Sequence, residues 1–273
     1  MSIDKDVKYL LEDFGLYQVP VDPVKVAEAL GVVYVEKKHE GFEGTLVVMG
    51  NDAVISVNSN MKDEGRKAFT CAHELGHYQY DINSQKSFQC TREDTTFEAS
   101  KNKLAPMEIR ANEFASELLM PREFFLKEIG QKEPSWELIK DLSKKFGASL
   151  QATASRYVKL SSHTCWLVVT KNSKLHRYTK AEYNDFHINL DSTLRSIKGV
   201  QGWQESSAHL WLYDHWKIRN KQLLYWQLGE NQYGDNLVLL WDEGNSLLED
   251  SFELSEDDQN DSGEFGAMYW GKK

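Results

Sequence analysis

The sequence predicts an α+β protein, because helical and strand patterns both occur along the chain and neither dominates. Apolar residues recur at helical spacing between Val7 and Phe14, which indicates an amphipathic first helix. Two short runs, Thr45–Met49 and Ala53–Val57, are separated by a glycine-containing turn, which predicts a β-hairpin. We divide the chain into three regions and take their elements in order.

The first region, residues 1–127, holds most of the recognisable elements. Asp22 and Pro23 are typical of a helix start, and Gly31 is typical of the position just past a helix end. A proline disfavours helix in the residue before it, so a later helix ends before Pro121. The other predicted elements are a strand at Val32–Glu36, a long helix at Asp63–Tyr80, an irregular polar stretch at Asp81–Ala105 and a helix that begins near Pro106.

The second region, residues 128–161, has the layout of a helix-turn-helix. One helix is predicted to reach Phe146 and stop at Gly147, and another starts after Ser149 and runs to Leu160. One interpretation is a DNA-reading helix, and the other is a helical hairpin that packs on the rest of the protein. The net charge of −10 favours the hairpin and argues against direct nucleic-acid binding. Five basic residues lie in these helices: Lys140, Lys144, Lys145, Arg156 and Lys159.

The third region, residues 162–273, is predicted to be a C-terminal α+β domain with a role in sensing or substrate recognition. It contains seven of the eight tryptophans and no proline. Trp166–Thr170 and Asn236–Trp241 have the composition of strands, and His209–Tyr213 and Leu223–Gln227 are weaker strand candidates. The tryptophans are interpreted as core residues, with a ligand pocket or partner surface as the alternative.

The overall composition excludes several classes of protein. An aromatic content of 12% is too high for a disordered chain. The longest apolar runs, such as Leu237–Trp241, are too short to span a bilayer, and the first residues lack the apolar stretch of a secretory signal. Three widely spaced cysteines do not suggest a disulfide framework. We therefore expect a cytoplasmic protein with no membrane partner.

The run from His73 to His77 is the strongest functional signal in the chain. On the predicted helix, residues four apart lie on one face, so His73 and His77 can direct both imidazoles at one ion. Neutral imidazole is a usual zinc ligand, and a catalytic zinc site keeps an open position for water. Glu74 lies beside the pair, where its carboxylate can act as the catalytic base. The pattern predicts a zinc-dependent peptidase site rather than two histidines on a surface helix.

A catalytic zinc ion needs a third protein ligand, and the helix after Pro106 offers three glutamates. Glu108 shares a helix face with small and apolar residues. Glu113 and Glu117 fall on the opposite face, where we expect them to contact solvent and pair with Arg110. Because an inward carboxylate is costly unless it binds a partner or a metal, Glu108 is the predicted third ligand.

Other residues are candidates around this site. Asp94 and Glu98 are alternative third ligands in the polar stretch. Asn112 lies one turn after Glu108 and is predicted to hold a metal ligand by a hydrogen bond. The strand Ala53–Val57 precedes the histidine helix, and its backbone is a candidate for binding an extended substrate by strand addition.

Several motifs resemble the metallopeptidase core of the ImmA/IrrE family. The two principal runs are Phe69–His77 and Glu108–Pro121. The run Val21–Gly31 and the strand Ile55–Asn58 also look like parts of that family. The resemblance covers roughly the first 160 residues and is weaker beyond them.

The resemblance implies both a fold and an activity. It implies a zincin-like, gluzincin-type peptidase core with zinc ligands at His73, His77 and Glu108 and a catalytic base at Glu74. Members of the family often act on helix-turn-helix transcriptional repressors and thereby relieve repression. The expected substrate is therefore a DNA-binding repressor that the enzyme cleaves at a specific site.

The sequence departs from the family pattern at two places, and it is also compatible with one rival function. Cys71 occupies a position where an aliphatic residue is usual, and the segment Ser84–Lys103 is longer than in compact members. Cys90 is interpreted as a small apolar filler, with a redox-sensitive thiolate that blocks the metal as the alternative. The rival function is a regulatory protein that binds a partner or DNA without cleavage, on a metal-stabilised peptidase-like scaffold.

Overall fold

The computed structural model describes residues 2–91, 94–95, 105–171, 174–191, 200–213, 218, 222–229, 236–245 and 247. It has the predicted α+β fold, with helices and two separate sheets. The helices are α1 (Ile3–Asp13), α2 (Pro23–Ala29), α3 (Glu64–Tyr80), α4 (Pro106–Leu119), α5 (Arg122–Ile129), α6 (Trp136–Phe146) and α7 (Leu150–Leu160). The strands are β1 (Val32–Lys37), β2 (Gly44–Met49), β3 (Asp52–Asn58), β4 (Ser87–Cys90), β5 (Cys165–Lys171), β6 (Lys174–Lys180), β7 (Trp203–Ser207), β8 (Leu223–Gly229) and β9 (Asn236–Trp241).

The first sheet has four strands in the order β1-β3-β2-β4. β2 and β3 form the predicted hairpin, in which Leu46 lies opposite Ile55. β1 pairs parallel to β3 on its other side. The strand-addition prediction for Ala53–Val57 is therefore wrong, because β3 is paired along both edges and has no free backbone groups for a substrate. Beside β2, β4 is the last of the described strands on that side of the sheet.

Helices α3 and α4 pack closely against each other behind this sheet. α3 begins after Asp63, whose side chain accepts a hydrogen bond from the Arg66 backbone N–H, as is usual for a helix N-cap. A Cβ atom at Gly76 would lie 2.9 Å from the Ala111 Cα, so only glycine lets the two helices approach this far. This close approach brings the first turns of α4 to the histidines of α3.

The second sheet has five strands in the order β6-β5-β9-β8-β7. Its two faces belong to different hydrophobic clusters. Leu167 and Leu239 face the helices and continue the core that contains α3 and α4. Trp166 and Leu240, one residue along each strand, face a second cluster with Trp211 and other apolar residues. Both faces of the central strands are therefore buried.

The predicted elements agree with the structure better in the first 160 residues than beyond them. Three strands of the structure were not predicted from the sequence. β4 lies in the stretch predicted as irregular, and β6 and β7 lie in the last region. α5 was also missed, and it crosses the predicted boundary after residue 127. His209–Tyr213 is not a strand, because a short 3₁₀ helix occupies Ala208–Leu210. The strand predictions at β5, β8 and β9 are confirmed.

The helical pair α6 and α7 packs on the rest of the protein instead of presenting a reading helix. In α7, residues 152–158 are all buried, and this helix contacts β5 and β6. Arg156, one of the basic residues of this segment, is only 9% exposed. A helix that reads DNA must expose a face to the groove, so the helical-hairpin interpretation is the one that the structure favours. Among the described residues, no helix is both long enough and apolar enough to cross a bilayer.

Candidate metal centre

The candidate site is built on one buried face of α3. Every residue from Phe69 to His77 is buried, and His73 and Glu74 have no exposed surface. His73 and His77 lie one helical turn apart, so their imidazoles project on the same side. Glu108, in the first turn of α4, reaches them across the close contact between the two helices.

The ligand atoms of these three residues converge on one point. The His73 and His77 Nε2 atoms are 3.1 Å apart. Glu108 Oε2 lies 3.1 Å from His73 Nε2 and 3.3 Å from His77 Nε2. Three atoms bound to a tetrahedral zinc ion at about 2.0–2.1 Å lie about 3.3 Å from one another. The three side chains thus already have nearly the spacing that a metal ion requires, and they could hold one.

Both imidazoles are oriented by partners on their other ring nitrogen. His73 Nδ1 lies 3.0 Å from Asn112 Oδ1, and His77 Nδ1 lies 2.9 Å from Asp81 Oδ2. Because these oxygens accept a hydrogen bond from Nδ1–H, each Nε2 keeps its lone pair for a metal. Asn112 also donates to the Asp94 carbonyl oxygen at 2.8 Å, which ties the segment after β4 to the site.

Asp81 was not among the residues predicted from the sequence. It lies four residues after His77, at the end of α3, so the same spacing argument that paired the histidines could have identified it. Asp81 is 2% exposed and forms an ion pair with Arg110 of α4. This cation supports a buried carboxylate that would otherwise be costly.

The carboxylate of Glu108 is held in its ionised form. Burial opposes ionisation of this group, but the His73 and His77 imidazoles outweigh burial and lower the pKa of Glu108 to about 2. Ionised carboxylates are metal ligands, whereas protonated ones are not. Glu108 therefore presents an anionic oxygen to the convergence point across the ordinary pH range.

Glu74 differs from Glu108 in its surroundings. Its side chain is 0% exposed, and the Cys90 thiol is the hydrogen-bonding group beside its carboxylate. Burial raises the pKa of Glu74, and the nearby histidines and the Cys90 thiol only partly counteract this. A carboxylate with a raised pKa is better matched to proton transfer near neutral pH than an ordinary glutamate.

Strand β2 passes unusually close to Glu74. A Cβ atom at Gly44 would lie 2.4 Å from Thr70 Cγ2 and 3.0 Å from both Cys90 Sγ and Glu74 Oε1. Gly44 is therefore required for this approach. Cys90 is 1% exposed, and burial raises the pKa of its thiol well above the ordinary range. The structure thus favours the interpretation of Cys90 as a buried filler, because a redox-sensitive thiolate needs exposure and a low pKa.

The predicted role of Glu117 is wrong. Glu113 is exposed as expected, but Glu117 is 7% exposed and pairs with Arg156 of α7. Arg110 pairs with Asp81 and not with either of these glutamates. Periodicity placed Glu117 on the face away from Glu108, and that face meets another helix instead of solvent.

The alternative third ligands do not join the convergence point within the described residues. Asp94 Oδ2 accepts hydrogen bonds from the Thr91 backbone N–H and hydroxyl. Glu98 lies outside the described residues. Two polar residues near the site have partners elsewhere, because Tyr80 donates to Asp6 and Arg110 pairs with Asp81.

Comparison with known families identifies the region that contains this site. Residues 27–157 match the Peptidase_M78 family model, described as an IrrE N-terminal-like domain. This part of the chain is thus similar to an IrrE N-terminal-like domain. The matched segment includes α3 and α4 and so contains all the residues of the candidate metal centre. The resemblance to the ImmA/IrrE family is confirmed, and with it a domain of metallopeptidase type.

One curated relative is similar over a shorter stretch. The protein named Uncharacterized immunity region protein 2, from Bacillus phage phi105, is 39% identical over 67 residues. This match covers 24% of the present chain and 37% of the phage protein. The similarity therefore concerns a part of each molecule.

Proposed function

We propose that this protein is a zinc-dependent endopeptidase. The observation that carries the proposal is the convergence of His73, His77 and Glu108 on one point, beside the fully buried Glu74. Two imidazoles and one carboxylate form a usual ligand set for catalytic zinc, which keeps a further position open for water. The match of residues 27–157 to a metallopeptidase family supports the same chemistry.

Each residue of the centre has a distinct proposed role. His73 and His77 would hold the metal through Nε2, and Glu108 through Oε2. When bound, zinc supplies Lewis-acid chemistry toward water and a peptide carbonyl. Glu74 takes a proton from the attacking water on one carboxylate oxygen and delivers it to the leaving amine. The raised pKa of Glu74 supports this role, because the carboxyl group must both accept and release the proton.

The edge of the first sheet is the proposed place for the substrate backbone. β4 pairs with β2 along one side, and no described strand pairs with its other side. Cys90 at the end of β4 lies beside Glu74, so a peptide along this edge would pass close to the base. Extended peptides commonly bind to sheet edges through backbone hydrogen bonds.

The proposed substrate is a helix-turn-helix transcriptional repressor, cleaved at a specific site. Family resemblance implies this substrate class, and the similarity to a protein named for a phage immunity region supports it. A direct test is incubation of the purified protein with helix-turn-helix proteins encoded beside its gene, with the products identified by mass spectrometry.

Metal content is the first measurement. We expect about one zinc ion per wild-type chain, loss of zinc in Glu108→Ala, and retention in Glu113→Ala. Glu113 is the matched control because it lies exposed on the same helix. Zinc retained in Glu108→Ala would show that another residue completes the site.

The variant Glu74→Gln separates catalysis from binding. It keeps the size of the side chain and removes the base, so we expect zinc to stay bound while cleavage falls by about 10²–10⁴-fold. If Glu74→Gln retains the full biological effect of the wild type, the peptidase proposal fails. The non-catalytic binding protein would then be the better description.

A further inference from the structure

One face of the second sheet carries aromatic residues near acidic ones. The strand register places Tyr225 of β8 opposite Trp241 of β9 and opposite Glu205 of β7. Trp203 lies two residues before Glu205 on β7 and so projects on the same face. We name Trp203, Glu205, Tyr225, Trp241 and Glu243 the aromatic–acidic patch.

The helices cover only part of this sheet face. Trp136 of α6 donates through Nε1 to the Gln227 carbonyl oxygen at 3.0 Å. Its ring lies against Gly229, where a Cβ atom would be 2.6 Å from two ring carbons. Beyond this contact, Trp203 and Tyr225 remain partly exposed. Among the described elements, the patch is therefore the margin of this face that the helices do not cover.

Trp241 forms the floor of the patch and is 8% exposed. Its ring centroid is 5.7 Å from that of Trp203 and 6.4 Å from that of Tyr225, with interplanar angles of 58° and 52°. His163 also lies against the Trp241 ring, with 6.0 Å between the ring centroids. The ring surface that a ligand could reach is therefore that of the partly exposed Trp203 and Tyr225. The Trp241 indole N–H also has no acceptor within the described part of the chain, although a buried indole N–H usually has one.

Two carboxylates give the patch a negative charge. Glu205 and Glu243 lie beside the Tyr225 hydroxyl and raise the pKa of that phenol. Both glutamates are exposed. No lysine, arginine or histidine among the described residues forms an ion pair with either of them. Within the described part of the chain, no cation neutralises this charge.

We propose that the aromatic–acidic patch binds an arginine side chain of a protein partner. A guanidinium group is planar, stacks on aromatic rings and donates to more than one carboxylate oxygen at once. A backbone carbonyl beside that arginine is a suitable acceptor for the Trp241 indole N–H. An acidic partner is disfavoured by the patch and by the net charge of −10. This binding role goes beyond the proposed peptidase activity and does not depend on it.

Titration of the full chain with N-acetyl-arginine methylamide tests the proposal. With the indole nitrogens labelled by ¹⁵N, we expect saturable shifts at the signals of Trp203 and Trp241, assigned from Trp203→Phe and Trp241→Phe spectra. The uncharged citrulline analogue should give shifts about fivefold smaller at the same concentration, and the lysine analogue intermediate ones. Shifts of equal size at all eight tryptophans, or equal shifts with citrulline, would overturn the proposal.

A charge-matched pair of variants sharpens the test. Glu205→Gln with Glu243→Gln should weaken arginine binding by about fivefold or more, because two charge-assisted contacts are lost. Glu28→Gln with Glu40→Gln removes the same charge from exposed positions elsewhere, and its affinity should stay within about twofold of wild type. Equal weakening by the two pairs would mean that only net charge matters and would refute a site at the patch. The dispersion of indole signals in the free variants reports that each is folded.

Discussion

The first and second sheets differ in how many of their faces are packed. In β2 of the first sheet, buried and more exposed residues alternate, because only one face meets the helices. In β5 and β9 of the second sheet, nearly every residue is buried, because apolar clusters cover both faces. On the outer face of the first sheet, Val33 and Met49 are more than half exposed. The sheet beside the metal centre is thus the more open one.

This difference predicts which substitutions each sheet tolerates. The central strands of the second sheet contribute to the free energy of unfolding through burial on two sides. In the first sheet, one face carries exposed residues, and β4 has a single partner among the described strands. β2 approaches α3 closely at Gly44, where a Cβ atom would lie 2.4 Å from Thr70 Cγ2 and 3.0 Å from Glu74 Oε1.

The largest effect on stability is expected at the ion pair between α4 and α7. Arg156 pairs with Glu117 and also donates to the Met120 carbonyl oxygen. Arg156→Met leaves a buried carboxylate without a cation, so we expect the free energy of unfolding to fall by about 3–5 kcal/mol in urea denaturation. Lys145→Met, which breaks the more exposed pair with Glu128, should cost about 0–1 kcal/mol. Similar losses in both variants would contradict the structural role of the α4–α7 pair.

Truncation of one apolar residue in each sheet tests the packing contrast directly. Leu239 in β9 is 0% exposed, and Val47 in β2 is 36% exposed. We expect Leu239→Ala to lower the free energy of unfolding by about 2–5 kcal/mol, since it creates a cavity. Val47→Ala should cost about 0.5 kcal/mol or less. A large loss for Val47→Ala in thermal or urea unfolding would show that its face is covered in solution.

Substitution of two glycines at close contacts distinguishes an effect on cleavage from an effect on the free energy of unfolding. Gly44→Ala brings a Cβ against Thr70 and Glu74, and Gly229→Ala brings one against Trp136. Each should cost about 1–3 kcal/mol of unfolding free energy from overpacking. Only Gly44→Ala should reduce cleavage per folded molecule, because it displaces the proposed base. Equal specific activity of the two folded variants would argue against the position of Glu74.

The partner of His77 is expected to tune metal affinity. Asp81→Asn removes the charge that orients this imidazole, so zinc affinity should fall by about 10–100-fold in competition with a chelator. Asp63→Asn makes the same change at the other end of α3, where asparagine caps a helix as well as aspartate does. Its zinc affinity should be that of the wild type, and a matching loss would point to a general effect on the helix.

The smallest expected effect is on the titration of His77 in the metal-free protein. Burial lowers the pKa of His77, but the Glu108 and Asp81 carboxylates outweigh burial and raise it above the ordinary value of 6.5. The stabilising contribution of the imidazolium is therefore complete below pH 6.5 and is lost as the pH rises through the raised pKa. Asp81→Asn removes one carboxylate, so an NMR titration should give a lower pKa for His77. No change would mean that Glu108 and Glu74, without Asp81, set this pKa.

Zinc affinity should show the opposite pH dependence. Because the metal binds neutral imidazole, protons compete with it, and affinity should fall as the pH falls through the raised pKa of His77. Chelator competition at a series of pH values measures this. Constant affinity across that range would exclude His77 as a ligand.

The metal-site residues could be predicted from the sequence more readily than the residues that hold them in place. His73, Glu74 and His77 lie within one helical turn, and Glu108 was chosen by the periodicity of a single helix, so local rules sufficed to nominate them. Glu117 was misassigned because its partner, Arg156, lies 39 residues away in the sequence. Among the strands, β4 has four residues and β6 is rich in lysine, so neither shows a strong alternating pattern.

By itself the sequence determined the fold class, the helices around the site and the spacing of the histidines. These depend on local propensity, capping residues and periodicity, which act over a few residues. Only the tertiary structure decided that Gly76 and Gly44 bring α4 and β2 against α3, that Asp81 supports His77, and that α7 is buried. These features depend on contacts between segments that are far apart in the sequence. Such contacts are selected by the packing of complementary surfaces, which produces no periodic pattern in the sequence.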